Sequence, residues 1–268
     1  MKKTTYIILG IIGTWLLLVT IILGIISLNG RPYGEPNQDP YTDMSGEKAV
    51  IELDPFDKVV FIANVNLETS YDESDDYFHG VEIRQSDSYS VEYAEAWADG
   101  FKYEIADSTL TITLKKPNDF DRFRGVTGDP IVIYTPRIVS VESDEYVGIS
   151  LHNFDIAELT ANAREVNIHD CHVGRLNVST DNRSITVAMR DSTVVDNSYL
   201  EINSALVFYT YDEAHCGTVN VRPIDGSGTC PFRIADLAYD RINVENNVSD
   251  AVQIYATEPY SIIPAEKK

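Results

Sequence analysis

From residue 49 onward, apolar side chains come in short alternating runs, not at helical spacing. The runs Val59–Val65, Val81–Ile83, Ser90–Tyr93, Phe101–Ile105 and Leu110–Leu114 are rich in β-branched and aromatic residues, and polar or glycine-containing turns separate them. Alternation of this kind puts successive side chains on opposite faces of a strand, one face apolar and the other wet. No segment after residue 31 carries an amphipathic helical stripe longer than about ten residues. The folded region is therefore predicted to be all-β.

Three stretches can be laid over one another: GISLHNFDIAELTA (148–161), EVNIHDCHVGRLNV (165–178) and TVAMRDSTVVDNS (186–198), with offsets of 17 and then 21 residues. In this register Ile149, Val166 and Val187 form one inward column, Leu151, Ile168 and Met189 a second, and Phe154, Cys171 and Ser192 a third. Leu159 and Leu176 align as well, with Ala161 and Val178 beside them. A unit this short cannot bury its own apolar face. Stacking successive units about 4.8 Å apart piles like residues into a continuous core and pairs every backbone group with the unit above and below. The pattern predicts a parallel β-solenoid over residues 49–258, with Leu206–Tyr211, Val219–Val221, Phe232–Ile234, Ile242–Val244 and Val252–Tyr255 as further turns. An antiparallel sandwich fits strands at this spacing too.

Charge and hydropathy add a location. Tyr6–Leu28 is a run of 23 residues without a charge, which as a helix would be roughly 34 Å long and would span a bilayer. It lacks the short apolar core and small-residue cleavage site of a secretory signal, so it reads as an uncleaved signal-anchor, the alternative being a cleaved leader. Lys2 and Lys3 precede it and acidic sequence follows, which places residues 1–5 in the cytoplasm and everything after Arg31 in the periplasm or at the cell surface. Residues 29–48, with three prolines and three glycines from Gly30 to Lys48, read as a linker, and residues 259–268 as a C-terminal tail. The chain has 21 Lys and Arg against 42 Asp and Glu, a formal net charge of −21. Such a surface repels phosphate backbones, so nucleic acid is not an expected partner.

Candidate chemistry is sparse. His152, His169 and Arg190 occupy equivalent outward positions in the three aligned stretches, a basic column that suits a carboxylate or sulfate. Glu158, Arg175 and Asp196 align likewise and read as a charge ladder that fixes register. HDCH (169–172) resembles a metal motif, yet His169 and His172 would point to opposite faces of a strand, so no metal and no cofactor is expected. The acidic runs Tyr71–Asp76 and Ser143–Tyr146 match no calcium loop and read as solvated. Cys216 and Cys230 could close a small loop in an oxidising compartment, leaving Cys171 buried.

The opening IELDPFDKVVFIANVNLETSYDESDDYFHGVEIRQSDSY (51–89), then GFKYEIADSTLTITLKK (100–116) and the repeats, resembles the head-GIN domain family of bacterial envelope proteins, the DUF2807-type autotransporter adhesins. The likeness runs over roughly residues 50 to 255 and rests on apolar columns. It implies a β-solenoid and carries over no catalytic residue. A recognisable Gly-Ile-Asn is missing here, and a membrane helix stands where relatives carry a lipoprotein or cleaved signal. The expected role is a membrane-tethered, extracytoplasmic interaction or adhesion module that presents its surface to a glycan or envelope protein, and not an enzyme. The alternatives are a polysaccharide lyase-like β-helix enzyme and an envelope-stress or assembly partner. No oligomeric state is implied.

Overall fold

The computed structural model describes residues 41–43, 46–63, 80–115, 125–144, 147–180, 184–211, 213–224, 230–235, 238–245, 252–255 and 262–264. The expected membrane helix at 6–28, the cytoplasmic residues 1–5, the tether up to residue 40 and the acidic run Tyr71–Asp76 lie outside these residues. Among the described residues no helix is long and apolar enough to cross a membrane.

The described chain is all-β. Its strands are β1 (Tyr41–Asp43), β2 (Lys48–Glu52), β3 (Lys58–Ala63), β4 (Val81–Gln85), β5 (Ser90–Ala94), β6 (Phe101–Ala106), β7 (Thr109–Leu114), β8 (Gly125–Thr127), β9 (Ile131–Thr135), β10 (Ser140–Ser143) and β11 (Gly148–His152). They continue as β12 (Asp155–Asn162), β13 (Glu165–His169), β14 (His172–Ser179), β15 (Ile185–Arg190), β16 (Val194–Ile202), β17 (Leu206–Thr210), β18 (His215–Pro223), β19 (Cys230–Ala235), β20 (Tyr239–Val244), β21 (Val252–Tyr255) and β22 (Ile262–Pro264). The five early strands read from alternation all form, with ends shifted by a residue or two. Val65, the last residue of the first run, lies outside the described residues.

Two ten-stranded sheets carry the architecture. The first has the order β2-β5-β9-β4-β11-β13-β15-β17-β19-β21, and the second β22-β20-β18-β16-β14-β12-β10-β3-β7-β6. From β10 on, the chain alternates between the sheets, and each strand pairs in parallel with the strand two places on in sequence. That pattern replaces the antiparallel sandwich for the repeat region. Among the described residues, antiparallel pairing is confined to the other end, where β2 pairs with β5, β5 with β9, and β6 with β7. There Trp97, in a single 3-10 turn, is fully buried, and Tyr93 stacks on Phe101 with ring centroids 4.1 Å apart.

The apolar columns pair as the alignment predicted. Ile149 faces Val166 and Val166 faces Val187; Leu151 faces Ile168 and Ile168 faces Met189. All six are wholly buried and share one core cluster with Leu159, Leu176 and Val178 from the second sheet. Full burial of one such side chain favours folding by about 1.5–3 kcal/mol, which makes register in this array hard to slip. Between the sheets the chain turns through Asn153, Asp170 and Asp191, each with positive φ (65°, 49° and 56°), directly after His152, His169 and Arg190. Asn and Asp tolerate this left-handed conformation better than other side chains, so the same corner recurs at successive levels.

The structure departs from the alignment where the corners change length. After Asp191 one extra residue enters, so Thr193, not Ser192, takes the place under Cys171. Cys171 N donates to Thr193 Oγ1 at 3.3 Å, Thr193 Oγ1 donates to Ile168 O at 2.9 Å, and Ser192 is exposed. The same insertion sets Arg175 opposite Asn197 and displaces Asp196 from the expected charge ladder. Part of the expected linker is strand: β1 pairs with β8, and β2 begins at Lys48. Within the expected tail, Ile262–Pro264 forms β22 and pairs with β20. Asp144, from the second acidic run, is structural, because its Oδ2 accepts the Ala63 N–H at 2.7 Å.

The expected Cys216–Cys230 bond does not form at Cys216, which is a free, buried thiol. Cys216 lies in β18 of the second sheet with its Sγ 3.2 Å from Ser198 Oγ, whereas Cys230 opens β19 of the first sheet. Cys171 is also a free, buried thiol, as expected. Burial pushes both thiols up to about 11, which leaves them protonated and unreactive at neutral pH.

Candidate functional site

The structure aligns the predicted column but does not leave it open. His152 pairs with His169 and His169 with Arg190 along the first sheet. The two imidazoles stack with centroids 4.5 Å apart and planes 11° from parallel, and the Arg190 guanidinium lies over the Tyr211 ring at 4.1 Å. His169 is only 3 % exposed, with Nδ1 2.9 Å from Asp191 Oδ2. Alternation sends these side chains outward, and stacking then closes them against one another. The column is a packed file, not an open basic surface.

Its charge is also lower than the sequence implied. Burial, then repulsion from His169, holds His152 down to about 4; Arg84 acts in the same sense, while Glu82 and Asp191 oppose it. Among the described residues the His152 Nε2 has no hydrogen-bond partner, which suits a neutral ring. An unfolded histidine titrates near 6.5, so between pH 6.5 and 4 the unfolded chain binds a proton that the folded chain excludes. The contribution of His152 is fully present above pH 6.5 and is lost as pH falls towards 4. After allowance for the ring's partial exposure, the expected loss is about 1–2 kcal/mol. It should be read as a drop in the urea midpoint between pH 7 and pH 4 that is shallower in His152→Phe; equal slopes in the two proteins would refute it.

The HDCH motif splits across a corner. His169 belongs to the buried file on the first sheet, whereas His172 is exposed at the start of β14, where its Nδ1 is 3.0 Å from Asp155 and its Nε2 3.4 Å from Asp196. Hydrogen bonds that its ring donates to these carboxylates, to Asp155 above all, raise its pKa.

A different surface has the shape of a binding site. On the outer face of the second sheet, residues of β12, β14, β16 and β18, with Glu245 just after β20, form a groove of about 420 Å³, within the range of small-ligand pockets. Along its middle run Thr160, Asn177, Tyr199 and Asn220, each opposite the next in the pairing register, and Asn243 continues the file beyond the groove. One flank is Asn162, Ser179, Glu201, Arg222 and Glu245. Arg222 Nη1 stands 3.5 Å from Glu201 and its Nε 3.7 Å from Glu245. On the other flank, Arg175 Nε is 3.6 Å from Glu158 and donates to Asn177 Oδ1 at 3.0 Å, while the guanidinium lies 4.0 Å over the Tyr199 ring. Asn177 Nδ2 donates to Glu158 at 2.9 Å, Asn220 Nδ2 to Ser198 O at 3.1 Å, and Asn243 Nδ2 to Asn220 Oδ1 at 2.9 Å. Tyr199 remains 37 % exposed.

The sequence alignment missed this face because its offset of 21 residues sets Ser198, not Tyr199, in the file of Asn177; the extra corner residue after Asp191 is what brings Tyr199 there.

No family model matches the chain, and no curated protein sequence does. Among solved structures, the chain is similar to a Bacteroides fragilis protein described as a "putative adhesin", with 10% identity, a TM-score of 0.45 and coverage of 80% of this chain and 99% of that one. It is also similar to a Parabacteroides distasonis protein described as a "putative lipid binding protein", with 13% identity, a TM-score of 0.40 and coverage of 84% and 100%. A Parabacteroides merdae "putative adhesin" has 10% identity and a TM-score of 0.33, with coverage of 84% and 99%.

Proposed function

We propose that this protein is a membrane-tethered, extracytoplasmic β-solenoid that works as an interaction or adhesion module and binds a glycan or an envelope protein in the groove of its second sheet. The groove is the observation that carries the reading: residues from four strands, with Glu245 after β20, line up an aromatic ring, amides and paired charges over one concavity. The solenoid reading is supported by the alternation of the chain between two sheets with parallel pairing at each step. Tethering is supported by the charge-free run Tyr6–Leu28 and by Lys2 and Lys3 before it. A module held at the membrane gains from a groove made of side chains on rigid strands, because little ordering is needed on binding.

The test uses the full-length chain in bacterial cells. After alkaline carbonate extraction the protein should stay with the membrane, and protease added to spheroplasts should digest it from outside. In nanodiscs it should retain a glycan or a purified envelope protein, and Tyr199→Ala should weaken that retention. Release by carbonate, protection from protease, or retention indifferent to Tyr199 would each sink this reading.

A further inference from the structure

We infer that the ligand of the groove is a neutral glycan lying across the strands, an inference that rests on the binding reading above and narrows it to one chemical class.

The charges argue first. The Arg175 and Arg222 guanidinium groups already face carboxylates, Glu158 for the one and Glu201 and Glu245 for the other. An acidic sugar approaching either guanidinium would bring a further carboxylate beside those already there, on a chain of net charge −21. A hydroxyl meets no such cost, because it can donate to the carboxylate and accept from the guanidinium of the same pair. The paired charges on the flanks therefore select against anions while remaining usable by neutral polar groups.

The middle file has matching chemistry. Asn177 and Asn220 each use one amide hydrogen and one lone pair on neighbouring groups, which leaves one hydrogen and one lone pair of each to serve hydroxyls in either sense, and Asn243 extends the file on β20. Tyr199 stands among them, held from one side by Arg175 at 4.0 Å, with 37 % of the residue still exposed. An aromatic ring fixed in this way offers a flat apolar surface to the C–H face of a pyranose at little entropic cost, and the amides beside it meet the hydroxyls on the ring's rim. Strands in a sheet repeat at about 4.8 Å, close to the length of one pyranose ring, so a sugar chain laid across β12, β14, β16 and β18 meets a new set of side chains with each residue.

Isothermal titration with the full-length protein in nanodiscs tests this. The neutral probes are cellohexaose, maltohexaose and xylohexaose, and the acidic probe is hexagalacturonate. Saturable binding of a neutral probe is expected, weakened about tenfold or more by Tyr199→Ala and retained in Tyr199→Phe, with the thermal midpoints of both variants showing that they fold. Binding of hexagalacturonate in place of the neutral probes, lost in Tyr199→Ala, would overturn the neutral class and keep the groove. Binding of a neutral probe that ignores Tyr199→Ala would overturn the groove as the site. Silence towards all four probes would overturn the glycan, and the parent reading would then stand or fall on retention of an envelope protein through Tyr199.

Discussion

Ile168→Ala should lower the free energy of unfolding by about 2–5 kcal/mol, and Ile168→Asp should abolish the cooperative transition. Ile168 is fully buried, with Leu151 opposite it on one side and Met189 on the other, in a column that continues through Ile83 to Ile133. Truncation leaves a void that the neighbouring strands cannot close, since both are pinned by backbone pairing and by their own side chains in the columns beside it. Each level of such an array touches mainly the levels above and below, so a loss at one level is not made good elsewhere. An aspartate there would bury a charge with no partner in the apolar column, a penalty comparable to the whole stability of an ordinary domain, about 5–15 kcal/mol. Thr186, half-buried on the outward face of β15, is the control, and its alanine variant should shift stability by less than about 0.5 kcal/mol. Urea denaturation followed by circular dichroism decides the matter. Equal effects at Ile168 and Thr186 would mean that the inward columns do not form the core.

Gly217→Ala should cost about 1–3 kcal/mol, although the change adds one methyl group at a position that is not fully buried. In the pairing of β16 with β18 the register steps from Val195 and Cys216 to Asn197 and Thr218, passing over Asp196 and Gly217. At that point the strands approach so closely that a Cβ on Gly217 would sit 2.5 Å from the backbone oxygen of Asp196. A carbonyl oxygen in a sheet cannot rotate away as a side chain can, so the two strands must part and their adjacent hydrogen bonds must lengthen. Gly174 holds the equivalent place two levels earlier, 2.8 Å from Ala157 O by the same measure, and Gly174→Ala should cost less. The thermal midpoints of both variants, set against Thr218→Ala, provide the measurement. An unchanged midpoint for Gly217→Ala would show that the strands part freely there, and the close approach would then have no structural weight.

What the amino-acid order determined by itself is the class of the fold and the identity of its inward columns. Ile149, Val166 and Val187 stand opposite one another because a side chain that must leave water admits few registers, and alternation with period two names the residues on the buried face. Corner lengths were not legible in the same way. An extra residue in a turn costs little, so nothing in the apolar pattern placed Thr193, and not Ser192, beneath Cys171, or set Asn197 beside Arg175. Only the tertiary structure decided the fate of the outward side chains. Their alternation is the same whether they end in water, as Glu158 does, or packed in a file, as His169 is, and the difference arises from neighbours far away in sequence. The Cys216 thiol, set against Ser198 in its own sheet, and the groove, drawn from residues between Thr160 and Glu245, follow the same rule. Burial is written locally because water is the common partner of every residue, whereas a binding surface depends on which strands the fold brings side by side.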